Sequence, residues 1–100
     1  MTAKVYEILK IIPKGKVVTY GQIACFLGNK HLSRVVGNIL HKNPDPENIP
    51  CHRVVNCKGK LSSAYAFGGS DAQKKRLEQE GIMFESDGTV NLKKYGFQLF

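Results

Sequence analysis

The stretch Ile49-Pro50-Cys51-His52-Arg53-Val54-Val55 sets a thiol beside an imidazole, between a proline-rich loop and a short β-branched run. A proline fixes its own φ and favours extended geometry at the residue before it, so the backbone leading to Cys51 should be stiff. A thiol next to an imidazole and among many cations has surroundings that lower a thiol pKa. The alternative is a cysteine buried at the start of a strand, where free cysteines are common. The stretch therefore marks either a reactive centre or part of the core.

Length and composition predict one intracellular domain over residues 1–100, with a single modest core. The chain has 42% hydrophobic and 23% charged residues, no apolar run long enough to cross a bilayer, and no signal-peptide pattern. Its three cysteines, at 25, 51 and 57, are therefore expected to be free thiols in the cytoplasm or nucleus. Lys and Arg number 15 against 8 Asp and Glu, a net charge of +7. That excess favours a nucleic acid as partner, although a merely basic soluble protein would also fit.

Two helices are predicted in the first third of the chain. Apolar residues at helical spacing indicate an amphipathic helix over residues 3–12, which Pro13 and Gly15 end. A hydroxyl at Thr19 followed by Gln22 has the form of a capping box, so a second helix should begin at Tyr20 and stop at Gly28.

A third helix should follow, capped by Ser33 and ending before Asn43-Pro44. Its predicted buried residues are Val35, Val36, Ile39 and Leu40. Together with the preceding helix it resembles a helix-turn-helix. The cations on it and at its ends are Lys30, His31, Arg34, His41 and Lys42. An ordinary helical hairpin with a solvated basic face is the alternative.

The second half is predicted to contain short strands and one further helix. His52 to Val55 is typical of a strand, and Leu61 to Gly69 of an irregular loop. Ser70 and Gln73 form a second capping box, opening a helix to about Glu80. The pair Asp87-Gly88 predicts a hairpin between residues 82–84 and 89–92. The fold class expected is mostly α with short β elements, α+β.

Metal and phosphate-cradling sites are not predicted, and no cofactor is expected. The chain lacks Cys-x-x-Cys and His-x-x-x-His pairs, and Gly68-Gly69 is without Walker or Rossmann spacing. A cysteine nucleophile at Cys51 would need a base. On an extended strand His52 points to the opposite face from Cys51, so proton transfer between them would need a twist or a bridging water.

The stretch Pro50-Cys51-His52-Arg53-Val54-Val55 resembles the active-site signature of the O6-alkylguanine-DNA alkyltransferases. Further stretches fall in that family's order: Ile12-Pro13-Lys14-Gly15-Lys16-Val17, Thr19-Tyr20-Gly21-Gln22-Ile23-Ala24, Arg34-Val35-Val36-Gly37, Asn43-Pro44 and Glu80-Gly81. The likeness covers nearly the whole chain. It implies the C-terminal DNA-binding domain of the family, a helix-turn-helix domain of winged-helix-like form.

The resemblance implies a set of catalytic roles. Cys51 would be the thiolate that accepts the alkyl group from O6 of guanine, once and irreversibly. His52 would act as base through a water, and Glu80 would hold the imidazole in the right tautomer. Asn43 would brace the active-site loop. Tyr20 would help swing the nucleotide out and protonate the departing guanine at N3.

The resemblance also implies a DNA interface. The second helix of the pair would lie in the minor groove, which suits the small Gly37 on its contact face. Arg34 would enter the stack in place of the flipped base, with Lys30 and Lys42 as further contacts. The backbone around Val54, Tyr65 and Ala66 would line the substrate pocket. The partner expected is duplex DNA carrying O6-alkylguanine, bound by a monomer away from membranes.

Three departures from the family pattern keep an alternative open. We expect no further domain before residue 3, the loop from Ser62 to Gly69 is slightly longer than usual, and the Asp87-Gly88 tail is more similar to the alkyltransferase-like proteins. Those proteins bind alkylated DNA without repairing it and hand the lesion to excision repair; most have tryptophan at the cysteine position. Because Cys51 is present, we expect a single-turnover transferase, with a lesion-binding protein as the alternative. A sequence-specific regulator would leave the Cys51-His52 signature without a purpose.

Overall fold

The computed structural model describes residues 2–45, 47–61 and 69–98. In these ranges the chain forms five α-helices, two short strands and two 3-10 turns. The helices are α1 (Thr2–Ile11), α2 (Tyr20–Phe26), α3 (Ser33–His41), α4 (Gly69–Gln79) and α5 (Leu92–Tyr95). The strands are β1 (Val18–Thr19) and β2 (Val54–Val55), and the 3-10 turns are Lys30–Leu32 and Cys51–Arg53. The mostly helical fold with a small sheet confirms the predicted fold class.

The first two helices form where the sequence predicted them. Helix α1 buries its apolar stripe in the main core, and the chain turns at Gly15, whose φ is +81°. The capping box before α2 is complete: the Thr19 hydroxyl accepts from the Gln22 amide at 3.0 Å, and the Gln22 side chain accepts from the Thr19 amide at 2.9 Å. Local capping satisfies backbone groups that the helix itself cannot pair.

Two details predicted for α3 are wrong. Ser33 is not its cap, because a 3-10 turn runs directly into the helix and the Ser33 hydroxyl instead donates to the Lys30 carbonyl at 3.2 Å. Val35 is not buried but 39% exposed, and Ile39 is only half-buried, while Val36 and Leu40 lie in the core. Helix α3 packs on α1 and α2 from one side only, so its apolar arc is wider than the face that is covered.

The strand predicted over His52 to Val55 is also partly wrong. Residues Cys51–Arg53 form a 3-10 turn, and only Val54–Val55 are extended. Strand β2 pairs in parallel with β1, with Val18 opposite Val54. The turn arises because the Arg53 amide donates back to the Pro50 carbonyl at 3.0 Å.

The C-terminal part differs from its prediction in two places. Helix α4 begins at Gly69, so Ser70 lies inside it and not at its cap. Asp87-Gly88 forms a turn, closed by the Gly88 amide donating to the Glu85 carbonyl at 2.9 Å, but the described flanking residues form no paired strands. The chain then returns to the first half, where Val17 bridges to Gly96. Within the described ranges, every helix is too short or too polar to cross a membrane.

Candidate active site and DNA-binding face

Two buried amide side chains form hydrogen bonds with the backbone of the 3-10 turn Cys51–Arg53 and of the loop before it. Asn43, 5% exposed, donates from Nδ2 to the Ile49 carbonyl at 2.7 Å, and its Oδ1 accepts from the Asp45 amide at 2.9 Å. Gln73, on α4, donates to the carbonyls of His52 at 2.9 Å and Val54 at 3.0 Å. Buried amides that satisfy backbone carbonyls fix the local chain path. The turn is therefore rigidly placed between the loop 43–50 and α4.

The thiol of Cys51 lies inside the protein. It is 5% exposed and belongs to the main core cluster, with α1, α2 and α3 residues around it. Burial raises the pKa of the Cys51 thiol, and this outweighs the opposing effects of a hydrogen bond with Asn43 and of the Arg76 charge. The expectation of a lowered thiol pKa is therefore wrong, because desolvation disfavours the thiolate more than nearby cations favour it. Burial therefore favours the protonated thiol over the thiolate.

His52, the residue after Cys51, forms a largely buried pair with Glu80. The imidazole Nε2 lies 2.8 Å from Glu80 Oε2, with side-chain exposures of 2% and 10%. Burial lowers the pKa of His52, and the charges of Arg76 and Arg53 lower it further, against the opposing hydrogen bond and charge of Glu80. Burial alone would raise the pKa of Glu80, but its bonds to Arg53 and His52 outweigh that and lower it. The pair is therefore an uncharged imidazole on a carboxylate.

The tautomer of His52 follows from this pairing. An ionised carboxylate only accepts hydrogen bonds, so Nε2 must carry the proton that it donates to Glu80. In the neutral ring Nδ1 then holds a lone pair. Nδ1 is buried and has no hydrogen-bond partner among the described residues. Such an atom is suited to take up a proton, because nothing described competes for its lone pair.

Acidification should destabilise the fold through this pair. Because the pKa of His52 is lowered on folding, the unfolded chain binds a proton first as the pH falls below about 6.5, and folding then loses free energy. Glu80, whose pKa is also lowered, adds a loss of the same sign at lower pH. We expect the unfolding free energy in urea to fall between pH 7 and 5, with a slope of at most about 1.4 kcal/mol per pH unit per proton. His52→Asn should flatten that slope, and a slope equal to that of wild type would contradict the assignment.

The residues predicted to contact DNA lie along α3 and at its ends. Arg34, Lys30 and Lys42 are exposed, and Gly37 is half-buried with no atom within 4 Å of the position a Cβ would take. Residues 34, 37, 38 and 41 share one face of the helix by their spacing. Tyr20, the first residue of α2, is half-buried and packs against the core cluster that contains Cys51.

The residues predicted to line the substrate pocket are only partly described. Val54 is fully buried, its carbonyl accepts from Gln73, and its amide donates to the Cys51 carbonyl. Tyr65 and Ala66 lie outside the described residues. Among the residues that are described, no cluster of three His, Cys, Asp or Glu side chains could hold a metal ion.

Three residues near the turn were not predicted to act at the candidate site. Gln73 was interpreted as half of a capping box, yet its amide holds the turn. Arg76, one helical turn further along α4, lowers the pKa of both Cys51 and His52 by its charge. The hydroxyl of Tyr6 donates to the Ile39 carbonyl at 3.2 Å, and the pKa of Tyr6 is raised by burial and by Cys51. Helical spacing from Glu80 could have indicated Gln73 and Arg76, since residues 73, 76, 77 and 80 share one face.

The structure thus combines a buried cysteine, a histidine–carboxylate pair and a helix, α3, with cations along it and at its ends. Residues 1–82 match the family model described as 6-O-methylguanine DNA methyltransferase, DNA binding domain. The chain belongs to this family.

Individual relatives include proteins of several kinds. A DNA base-flipping protein of Vibrio parahaemolyticus is 39% identical over 95 residues, which span 95% of this chain and 93% of the relative. A bifunctional methyltransferase/endonuclease of Picrophilus torridus is 40% identical over 95 residues, but the chain spans only 31% of its length. The crystal structure of S. pombe Atl1 in complex with damaged DNA containing O6-carboxymethylguanine superposes with a TM-score of 0.83 at 37% identity, covering 97% of this chain and 94% of that one.

Proposed function

We propose that this protein repairs O6-alkylguanine in duplex DNA by transferring the alkyl group to Cys51 in a single turnover. One observation carries the proposal: a buried thiol is followed in sequence by a His52–Glu80 pair whose Nδ1 atom has no partner among the described residues. A protein that only bound the lesion would need neither a thiol nor a neutral imidazole held by a carboxylate.

The proposed chemistry begins with removal of the thiol proton. Because burial raises the pKa of Cys51, the thiolate must be generated when substrate is bound, and His52 takes the proton at Nδ1 through a water. The sulfur attacks the alkyl carbon, a C–S bond forms, and the bond from that carbon to O6 breaks. The departing guanine takes a proton at N3 from Tyr20. The thioether product is a poor leaving group, so each molecule acts once.

The proposed DNA interface is the exposed face of α3. The net charge of +7 supports phosphate binding, and the lack of side chain at Gly37 suits a helix lying in the narrow minor groove. Arg34 would fill the gap that the flipped nucleotide leaves, which offsets part of the few kcal/mol that unstacking costs. The relative described above, which was crystallised with damaged DNA, supports DNA as the partner of this fold.

A second candidate function is lesion binding without transfer, followed by recruitment of excision-repair proteins. The extensive likeness to Atl1, which spans 94% of that chain, favours it. The raised pKa of the Cys51 thiol is also compatible with an unreactive cysteine.

Intact-mass measurement separates the two functions. The protein is incubated with a duplex oligonucleotide containing O6-methylguanine, weighed, and mapped by peptide sequencing. We expect the mass of one methyl group to be added on Cys51, in stoichiometric yield, in wild type and in the exposed-thiol control Cys57→Ala, but not in Cys51→Ala. An unchanged mass together with lesion-selective binding would overturn the transferase and leave the damage sensor. If the protein is not methylated and does not prefer the lesion over unmodified DNA, both candidate functions are overturned.

A further inference from the structure

We propose that Arg53 is a positioning residue that fixes the Glu80 carboxylate, and through it holds His52 as an uncharged imidazole protonated at Nε2. Hydrogen bonds from Arg53 to Glu80 and to the end of α1 support this role. Its consequence for alkyl transfer rests on the proposed function.

The guanidinium of Arg53 engages both oxygens of Glu80. Arg53 Nε donates to Oε1 at 2.9 Å, and its second terminal nitrogen donates to Oε2 at 2.8 Å. Oε2 is the same oxygen that accepts from His52 Nε2 at 2.8 Å. A bidentate pair of this kind fixes the plane of the carboxylate as well as its distance. The Glu80 carboxylate, whose Oε2 atom accepts the hydrogen bond from His52, is therefore fixed in one orientation.

A third contact ties the guanidinium to a different element. Arg53 Nη1 donates to the Ile12 carbonyl at 2.7 Å, just beyond the C-terminal end of α1. Carbonyls at a helix end lack partners within the helix and carry partial negative charge, so a cation there is favourable. Arg53 thus joins the end of α1, the 3-10 turn and the residue after α4. A lysine could supply the charge but not the rigid fork that reaches three acceptors at once.

The positive charge of Arg53 also offsets part of the effect that the negative charge of Glu80 has on the protonation of His52. Without a competing cation, a buried carboxylate would draw a second proton onto the imidazole. The groups that act on His52 are Glu80, which favours the imidazolium, and Arg76 and Arg53, which oppose it. Arg53 acts at closest range, because its Nη2 atom and His52 Nε2 each lie 2.8 Å from the same oxygen, Glu80 Oε2. Removing Arg53 should therefore favour imidazolium, which has no lone pair with which to accept a proton.

Imidazole NMR of the full chain tests the inference without any activity measurement. Long-range proton–nitrogen spectra of ¹⁵N-labelled protein report the tautomer and titration of each histidine, and the His52 signals are those that persist in His31→Gln and His41→Gln. In wild type we expect the Nε2-protonated neutral ring at pH 7. In Arg53→Met the His52 titration midpoint should move to higher pH and the single tautomer should be lost. The control Lys75→Met removes one exposed positive charge from α4 and should change neither.

Arg53→Lys is a second variant for the case that Arg53→Met does not fold, since lysine keeps a positive charge near Glu80. We expect a smaller upward shift of the His52 midpoint and a mixed tautomer. A His52 spectrum identical to wild type in folded Arg53→Met, or in Arg53→Lys where the Met variant does not fold, would overturn the inference. An equal shift in Lys75→Met would also overturn it.

The rate of methyl transfer, measured in wild type and in Arg53→Met, tests the positioning role of Arg53 separately from the proposed function. If wild type transfers methyl groups, Arg53→Met should transfer them roughly tenfold more slowly at pH 7 and recover as the pH rises, because the base is lost and then regained. A transfer rate at pH 7 equal to wild type would overturn the positioning role. If wild type transfers nothing, the proposed function fails, while the NMR result still decides whether Arg53 holds the tautomer.

Discussion

Gly37→Leu should make the protein more stable and at the same time remove most of its affinity for duplex DNA. Gly37 lies in the middle of α3 with helical backbone geometry, where glycine costs up to about 1 kcal/mol relative to a good helix former. A Cβ there meets no atom within 4 Å apart from the backbone of its own helix, so a side chain can leave the helix without a collision at its first atom. We therefore expect a gain of roughly 0.5–1 kcal/mol in unfolding free energy.

The same leucine would project from the face that we propose to enter the minor groove. A minor groove is only about 6 Å wide, so a helix can approach it closely only where its side chains are small. We expect affinity for a duplex to fall at least about 100-fold, equivalent to about 2.7 kcal/mol, by fluorescence anisotropy at fixed salt. Gly37→Ala should lose much less. Gln79→Leu, an exposed neutral substitution at the end of α4, should leave binding unchanged. Wild-type affinity in Gly37→Leu would show that α3 does not approach DNA by this face.

The sequence predicted those parts of the fold that are decided locally. Helices α1 and α2 depend on apolar spacing, on Pro13 and on the Thr19–Gln22 capping box, all of which act within a few residues. The exposure of Val35 could not be predicted, because it depends on which arc of α3 the neighbouring helices cover. The turn at Cys51–Arg53 was missed for a similar reason. Gln73 and Glu80, which bond its carbonyls and side chains, come from more than 18 positions away.

In the candidate site too, features that depend on neighbouring residues were predicted from the sequence, and features that depend on distant residues or on burial were not. The neighbouring pair Cys51 and His52 was visible as a possible nucleophile and base, but Glu80 lies 28 positions from His52 and was indicated only by the family resemblance. The sign of the thiol pKa shift was wrong, because local cations are visible in a sequence and burial is not. The roles proposed for Tyr20, Arg34 and the described pocket residue Val54 remain predictions.

Gly59→Ala should be strongly destabilising, because the turn that contains Gly59 lies against the backbone of Val90. Gly59 has a φ of +80°, a region that costs other residues about 1–2 kcal/mol. A Cβ there would lie 2.2 Å from the Val90 carbonyl oxygen, a backbone atom that cannot rotate away. The two residues cannot simply separate, because the Val90 amide donates to the Gly59 carbonyl at 2.9 Å. We expect a loss of about 3 kcal/mol in total, once displacement of packed backbone is included.

Gly88→Ala is the matched control for this loss. Gly88 has nearly the same φ, +84°, but no atom within 4 Å of the position a Cβ would take. It should therefore lose only the conformational part, about 1–2 kcal/mol. Urea denaturation gives the loss of unfolding free energy in each variant, and the difference between the two losses is the cost of the collision with Val90. Equal losses in the two variants would contradict the collision.

The difference between these variants should extend to the candidate site. Val90 packs in the second core cluster with Leu77 and Ile82, which lie on either side of Glu80 in the chain. Displacing Val90 should therefore loosen the segment that presents the Glu80 carboxylate to His52. In protein that is still folded, the His52 tautomer should become mixed in Gly59→Ala and stay single in Gly88→Ala. An unchanged tautomer in both would mean that Arg53 and Gln73 fix the pair without help from the second core cluster.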